Sequence, residues 1–391
     1  MKKIIVLISL ILAFTSSGQA QFPKPKKPEP PKSNKQKKET TAPEKKNEVE
    51  DCLALVKEIK EWGYVDKAGN TVINPQFDDA RSFLNGHARV KKMGNWGYID
   101  LKGTYVINPQ FERAEDFCEG LARVLKFKKW GYIEKSGTYA INPQFNDAED
   151  FSGGLARVKT GTVWGLIDTK GDFVVNPQFA ELSVFVDGLA RARLGKEWGY
   201  VESSGKWAIN PQFDDAEDFH DGLARVRKGT KWGYIDETGI FSINPQFDGV
   251  GDFYNGLARA KAMKQWGYID KKGGWAVNPQ FDNAEDFTEG LARVRKGKDW
   301  GFIGIEGTYV INPQFADAEN FNDGLARVKT GTQWGFINKK GGYVINPQFD
   351  AAKNFRNGFA VVRKGPKWGF INPEGDIVIG YLYNEADDFT K

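Results

Sequence analysis

The chain is 391 residues long, 14% aromatic and 27% charged, with a formal net charge of +4 and a mean hydropathy of −0.52. This polar composition excludes a bundle of membrane helices, and its 44 glycines exclude a protein built of long helices. Length alone suggests two or three domains, but an internal repeat overrides that count.

Residues 1–20 read MKKIIVLISLILAFTSSGQA. Lys2 and Lys3 precede an apolar stretch from Ile4 to Phe14, too short to cross a bilayer comfortably, and small residues follow at Gly18 and Ala20. This is the pattern of a secretory signal peptide, the alternative being an uncleaved anchor. No cysteine lies at the junction to carry a lipid. Residues 21–51 hold six prolines, nine lysines and six acids with almost nothing apolar, and are expected to form a disordered linker. Its lysines serve reach and solubility, or contact with an anionic envelope surface. The remainder, 52–391, holds 44 Lys and Arg against 45 Asp and Glu, so its net charge does not point to nucleic acid. Cys52 and Cys118 fall at unlike positions of the repeat and are not expected to bond to each other.

From Cys52 onward one pattern repeats. Trp-Gly occurs at Trp62, Trp96, Trp130, Trp164, Trp198, Trp232, Trp266, Trp300, Trp334 and Trp368, always 34 residues apart. Ten units fill 52–391 without an insertion. In the unit at 120–153, Leu121 to Leu125, Trp130 to Ile133 and Thr138 to Asn142 read as three short strands separated by turns, a β-meander. Pro143 should end the third strand or sit at an edge. Phe145, Ala148 and Phe151, spaced by three, predict a single helical turn capped by Asn146 or Asp147 and ended by Gly154. The period also suits helical tetratricopeptide repeats, but the glycines and proline of every unit rule them out.

These units resemble the WG-repeat (KWG-repeat) family of bacterial proteins. The likeness rests on Trp96 to Asp100, on Gly290 to Val294, on the Ile-Asn-Pro-Gln-Phe motif and on the trailing Phe-x-x-Ala-x-x-Phe. It spans 52–391. The resemblance implies a β-rich repeat in exported or envelope-associated proteins, and it implies no shared catalytic residues or ligand.

Four sets of residues are candidates for function. The ten Trp of the Trp-Gly pairs form either a buried ladder between units or an exposed row for stacking sugars. Trp207 and Trp275 stand where other units have Tyr105, Phe173 or Phe241, and read as interchangeable packing. Arg89, Arg123, Arg157, Arg191, Arg225, Arg259, Arg293 and Arg327 share one register, with Leu55 and Val361 in the terminal units. Their loss at the ends suggests that Arg bridges neighbouring units, by stacking on aromatics or pairing with acids; an anion-binding stripe is the alternative. The acids, such as Asp78, Asp79, Asp214, Asp215, Glu217 and Asp218, recur in each unit and read as turn caps and solvated charge. Weak repeated calcium sites remain open, but no calcium-loop spacing occurs. His87 and His220 are non-equivalent and build no zinc or triad constellation.

The expected architecture is all-β: ten three-stranded units forming an open super-helix, with a closed propeller-like ring as the alternative. Gly380, Tyr381, Leu382 and Tyr383 replace Asn-Pro-Gln-Phe in the last unit and suggest an open end. The expected function is an exported, non-enzymatic scaffold without cofactor or metal, located in the periplasm, on the outer surface or outside the cell. It would bind a protein or another envelope component and no nucleic acid. A glycan-binding module is the alternative.

Overall fold

A computed structural model describes residues 52–390. The expected signal peptide (1–20) and linker (21–51) lie outside them. All regular structure in the described residues is β, arranged as ten four-stranded antiparallel sheets, the blades of a propeller-like ring. In the third blade, which carries Trp130, the strands are Arg113–Ala114, Leu121–Lys126, Lys129–Glu134 and Tyr139–Phe145. We call such strands a, b, c and d in chain order; they lie side by side in that order.

The expected unit of three strands is therefore one strand short. The missing strand a occupies the segment expected to be a helical turn, and no helix forms there. In the sixth blade strand a runs over Asp215–His220, pairing Ala216 with Val226 and Phe219 with Ala224. Three residues on one strand thus oppose two on the other. That bulge puts residues three apart on one face and imitates helical spacing.

The open super-helix is also corrected. Strand a of the first blade is Glu385–Thr390, from the C-terminus, and it pairs with Leu53–Glu58. The first and last strands of the described residues close the ring inside one sheet. Tyr383 takes the place of the repeated Phe opposite Trp368, so the divergent tenth copy is not a cap.

Adjacent blades pack large against small. Ala122, Val124, Gly131 and Ile133 share one face of the third blade; Leu121, Arg123, Trp130 and Tyr132 share the other. The second face packs on Ala156, Val158 and Ile167 of the fourth blade, with Phe151 between. Each of ten core clusters joins two successive blades in this way, including the one between the tenth and first.

The Trp-Gly and Asn-Pro-Gln motifs are two halves of one joint. Trp130 pairs with Phe145 but Tyr132 with Ile141, so strand d bulges between them. A Cβ on Gly131 would lie 2.6 Å from the Ile141 carbonyl oxygen and 2.6 Å from the Pro143 nitrogen. Only glycine admits that backbone. Pro143 costs no pairing because strand d is the sheet's edge. Ile141 and Phe145 point into the seam, while Asn142 and Gln144 face solvent.

Candidate functional site: the girdle between blades

Strands b and c of one blade and the strand a segment of the next bring the Trp, Arg and acidic registers together at six of the ten seams. Trp96, Trp130, Trp164 and Trp300 are buried, and the other six Trp of the Trp-Gly pairs are half-buried. A basic side chain lies over each of the ten rings; Arg293, for example, is 4.5 Å from the Trp300 centroid. Trp207 and Trp275 pack edge-on against Phe179 and Phe247 of the preceding blade, as Tyr105 does on Phe77.

Each of the eight Arg donates through Nη1 to the carbonyl of a residue in strand a of the next blade, as Arg191 does to Ala216 at 2.7 Å. The two residues after that carbonyl are usually acids. Arg89 meets Glu115 and Asp116, Arg191 meets Glu217 at 2.7 Å, and Arg259 meets Glu285 at 3.0 Å. Asp252 holds Arg225 through two contacts. Burial pushes the Asp150 and Asp286 carboxyls above their ordinary range, against the pull of Arg123 and Arg259. Tyr132, Tyr200 and their equivalents donate their hydroxyls to a carbonyl in the same segment, and burial raises those phenols strongly.

The other acids serve turns. Asp214 accepts the Gly229 amide and Asn146 the Gly161 amide, both from hairpins joining strands b and c. Asp79 pairs with Arg81 and Asp215 with Arg227. Among the described residues Asp78 makes only a backbone bond, from its amide to the Lys91 carbonyl. His87 rests on Phe117, and His220 lies 3.8 Å from Asp252, so the two histidines are not brought together. Cys52 and Cys118 are free thiols.

The seam between the fourth and fifth blades departs from this pattern, as does the one between the ninth and tenth, where Lys353 and Asn354 follow the accepting carbonyl. The two residues after the accepting carbonyl of the fifth blade are Ser183 and Val184, where four other blades carry Glu-Asp; where other strands c carry Tyr or Phe, the fourth carries Leu166. Arg157 therefore has no acid from the next blade. Among the described residues its one carboxylate contact is Glu149 of its own blade, at 3.7 Å. A cavity of about 190 Å³ opens there, lined in part by Arg157, Ser183, Arg191 and Trp198. The sequence signal was present in FAELSVF, where FDDAEDF-like words stand elsewhere, but the Arg and its partners lie 26 and 27 residues apart.

The WG containing repeat matches this chain ten times, over residues 62–96, 96–129, 130–161, 164–198, 198–232, 232–262, 266–298, 300–331, 334–368 and 368–391. No curated protein matches the chain. Among solved structures, it is similar to a eukaryotic initiation factor at 11% identity and a TM-score of 0.49, covering 78% of this chain and 98% of that one. It is also similar to the dihydro-heme d1 dehydrogenase NirN (8%, TM-score 0.39, 89% and 76% covered) and to Hsv2 of Kluyveromyces lactis (10%, 0.32, 65% and 94%). None of these reaches a TM-score of 0.5. With its repeat tiling the ring from Trp62 to the last residue, the chain belongs to the WG-repeat family.

Proposed function

We infer that this ring is an exported, non-enzymatic scaffold that binds a protein or another envelope component. The observation that carries the reading is where the chemically competent side chains are used. The Arg, Asp and Glu registers are mostly paired with one another across seams or bound to turn amides. They hold blades together, and repeated sites of that kind supply no single place with unlike acid and base. Export rests on the leader at residues 1–20. A glycan platform on the Trp row has less support, since none of the ten rings is exposed and a cation covers each.

The chain from residue 21, immobilised and challenged with envelope extract, should retain a component that rebinds saturably when purified. Non-saturable retention would sink the reading. So would turnover of an envelope polymer that disappears when Glu217 and Asp218 alone are changed. A fusion of residues 1–51 to a reporter active only outside the cytoplasm tests export separately.

A further inference from the structure

Strands b and c are joined in every blade by a two-residue turn. Its first residue sits in the left-handed region throughout, with φ from 49° to 64°. Six blades place glycine there: Gly161, Gly195, Gly229, Gly297, Gly331 and Gly365. The first three blades instead place Ile59, Met93 and Phe127, and the seventh Met263. A β-branched or bulky residue adopts this conformation reluctantly, Ile most of all. Nor do these side chains gain burial, for they are 83, 88, 81 and 90% exposed. Three consecutive blades thus set a large apolar tip on one rim, against both backbone preference and the hydrophobic effect.

The same rim is basic. The two turn residues and the residues flanking them, Lys57 to Glu61 and its nine equivalents, hold 22 Lys and Arg against four Asp and Glu, in a ring whose net charge is −1. Phe127 stands between Lys126 and Lys128, and Met93 follows Lys91 and Lys92. Acids at the start of strand a reach the same rim and counter part of this charge: Lys57 pairs with Glu385, Arg193 with Glu181, Arg227 with Asp215 and Lys231 with Asp248, while Lys92 lies 3.6 Å from Glu61 and Glu112 accepts the Phe127 amide. The opposite end of strand b is acidic, with Glu119, Asp187, Asp221, Glu289 and Asp323 in the turns after strand a. The ring is therefore polarised from one rim to the other.

We propose that the rim led by Ile59, Met93 and Phe127 docks on an anionic phospholipid surface, the three tips entering the headgroup layer while the neighbouring lysines meet lipid phosphates. Charge complementarity selects this occupant. Isolated tips of three different shapes, one per blade, suit a fluid interface that accepts any apolar finger flanked by lysines. The acidic rim faces away. This goes beyond the scaffold reading and does not depend on it, since it concerns only the first three blades' turns.

The chain from residue 21 should co-sediment with vesicles of equal parts phosphatidylglycerol and phosphatidylcholine, not with phosphatidylcholine alone, and less at high salt. The triple variant I59G/M93G/F127G, which installs the residue six blades already carry, should fold and lose affinity on the order of tenfold or more. M263G, with no tip on either adjacent blade, should lose little. Absence of binding to phosphatidylglycerol vesicles overturns the proposal. So does equal binding by the well-folded triple variant, which would leave only lysine charge. If the triple variant loses an isolated protein partner while neither form binds vesicles, the arc is a protein interface and the proposal also fails. Intact vesicle binding with no retained envelope component would sink the scaffold reading alone.

Discussion

Ring closure makes a quantitative claim about one side chain near the C-terminus. Phe389 is fully buried, 5.1 Å from the Phe370 ring and 4.9 Å from Phe359, and its neighbour across the sheet is Ala54. Its internal counterpart is Phe219, equally buried and 4.8 Å from Tyr200. Truncating a buried Phe to Ala removes its transfer energy and leaves a cavity, together about 3–5 kcal/mol. In a closed ring Phe389→Ala should cost about as much as Phe219→Ala, because both fill a seam between two blades. In an open array Phe389 would lie on a tail with no first blade to pack against, and its loss would cost under about 1 kcal/mol. Urea unfolding followed by Trp fluorescence compares the two variants, and amide exchange at Ala54 and Val56 reports whether strand b of the first blade stays paired. A full penalty for Phe219→Ala beside a negligible one for Phe389→Ala would refute closure. Similar slopes in both variants are needed for the comparison to hold.

Further outcomes follow from the seams. Ser183→Glu with Val184→Asp gives Arg157 the Glu-Asp pair that Arg89, Arg123, Arg191 and Arg259 face and should raise stability by about 1 kcal/mol, read as a shift in urea midpoint. Gly131→Ala forces a Cβ within 2.6 Å of the strand d backbone and should cost about 1–3 kcal/mol or more, whereas Gly249, whose nearest heavy atom would be 3.4 Å away, should accept Ala far more readily. Burial would raise the Asp387 carboxyl, but the hydrogen bond and charge of Lys353 outweigh it and hold the group below 3.8. A carboxylate with a depressed folded pKa stabilises above its unfolded pKa, and that contribution is lost as pH falls through the folded value. Melting temperature in Asp387→Asn should therefore fall less steeply than in the parent below about pH 4.

Much of this was legible in the sequence. The 34-residue period, strands b, c and d and the edge position of Pro143 follow from alternation and from proline's missing N–H. The fourth strand was obscured because it is often two residues long and because the bulge at Ala216 and Phe219 gives it helical spacing. Closure was hidden by phase. The described residues begin with strand b and end with strand a, so Ala386 to Phe389 reads as a trailing fragment of the tenth unit. In space it completes the first blade. Charge polarity was hidden for a similar reason: a net of −1 says nothing of a basic rim and an acidic rim at opposite ends of the same strands.

The two missing arginines sharpen what the girdle is for. Leu55 and Val361 suggested terminal units with one neighbour, yet both are buried in seams like any other. What stays constant around the ring is the carbonyl in strand a that accepts the Arg. At the first seam that carbonyl belongs to Ala80, and Arg81 donates to it at 2.7 Å in place of residue 55. At the closing seam it belongs to Ala386, and Lys353 of the tenth blade donates to it at 3.0 Å while pairing with Asp387 at 2.7 Å. Arg81 and Lys353 are the two basic residues in a register that is otherwise mostly Glu. A carbonyl left without a donor in a seam costs about 1–3 kcal/mol, and ten seams would multiply it. The requirement that shaped the repeat is thus a cationic donor for each of ten carbonyls. The Arg register is its commonest solution, and the first and closing seams reach the same solution through Arg81 and Lys353.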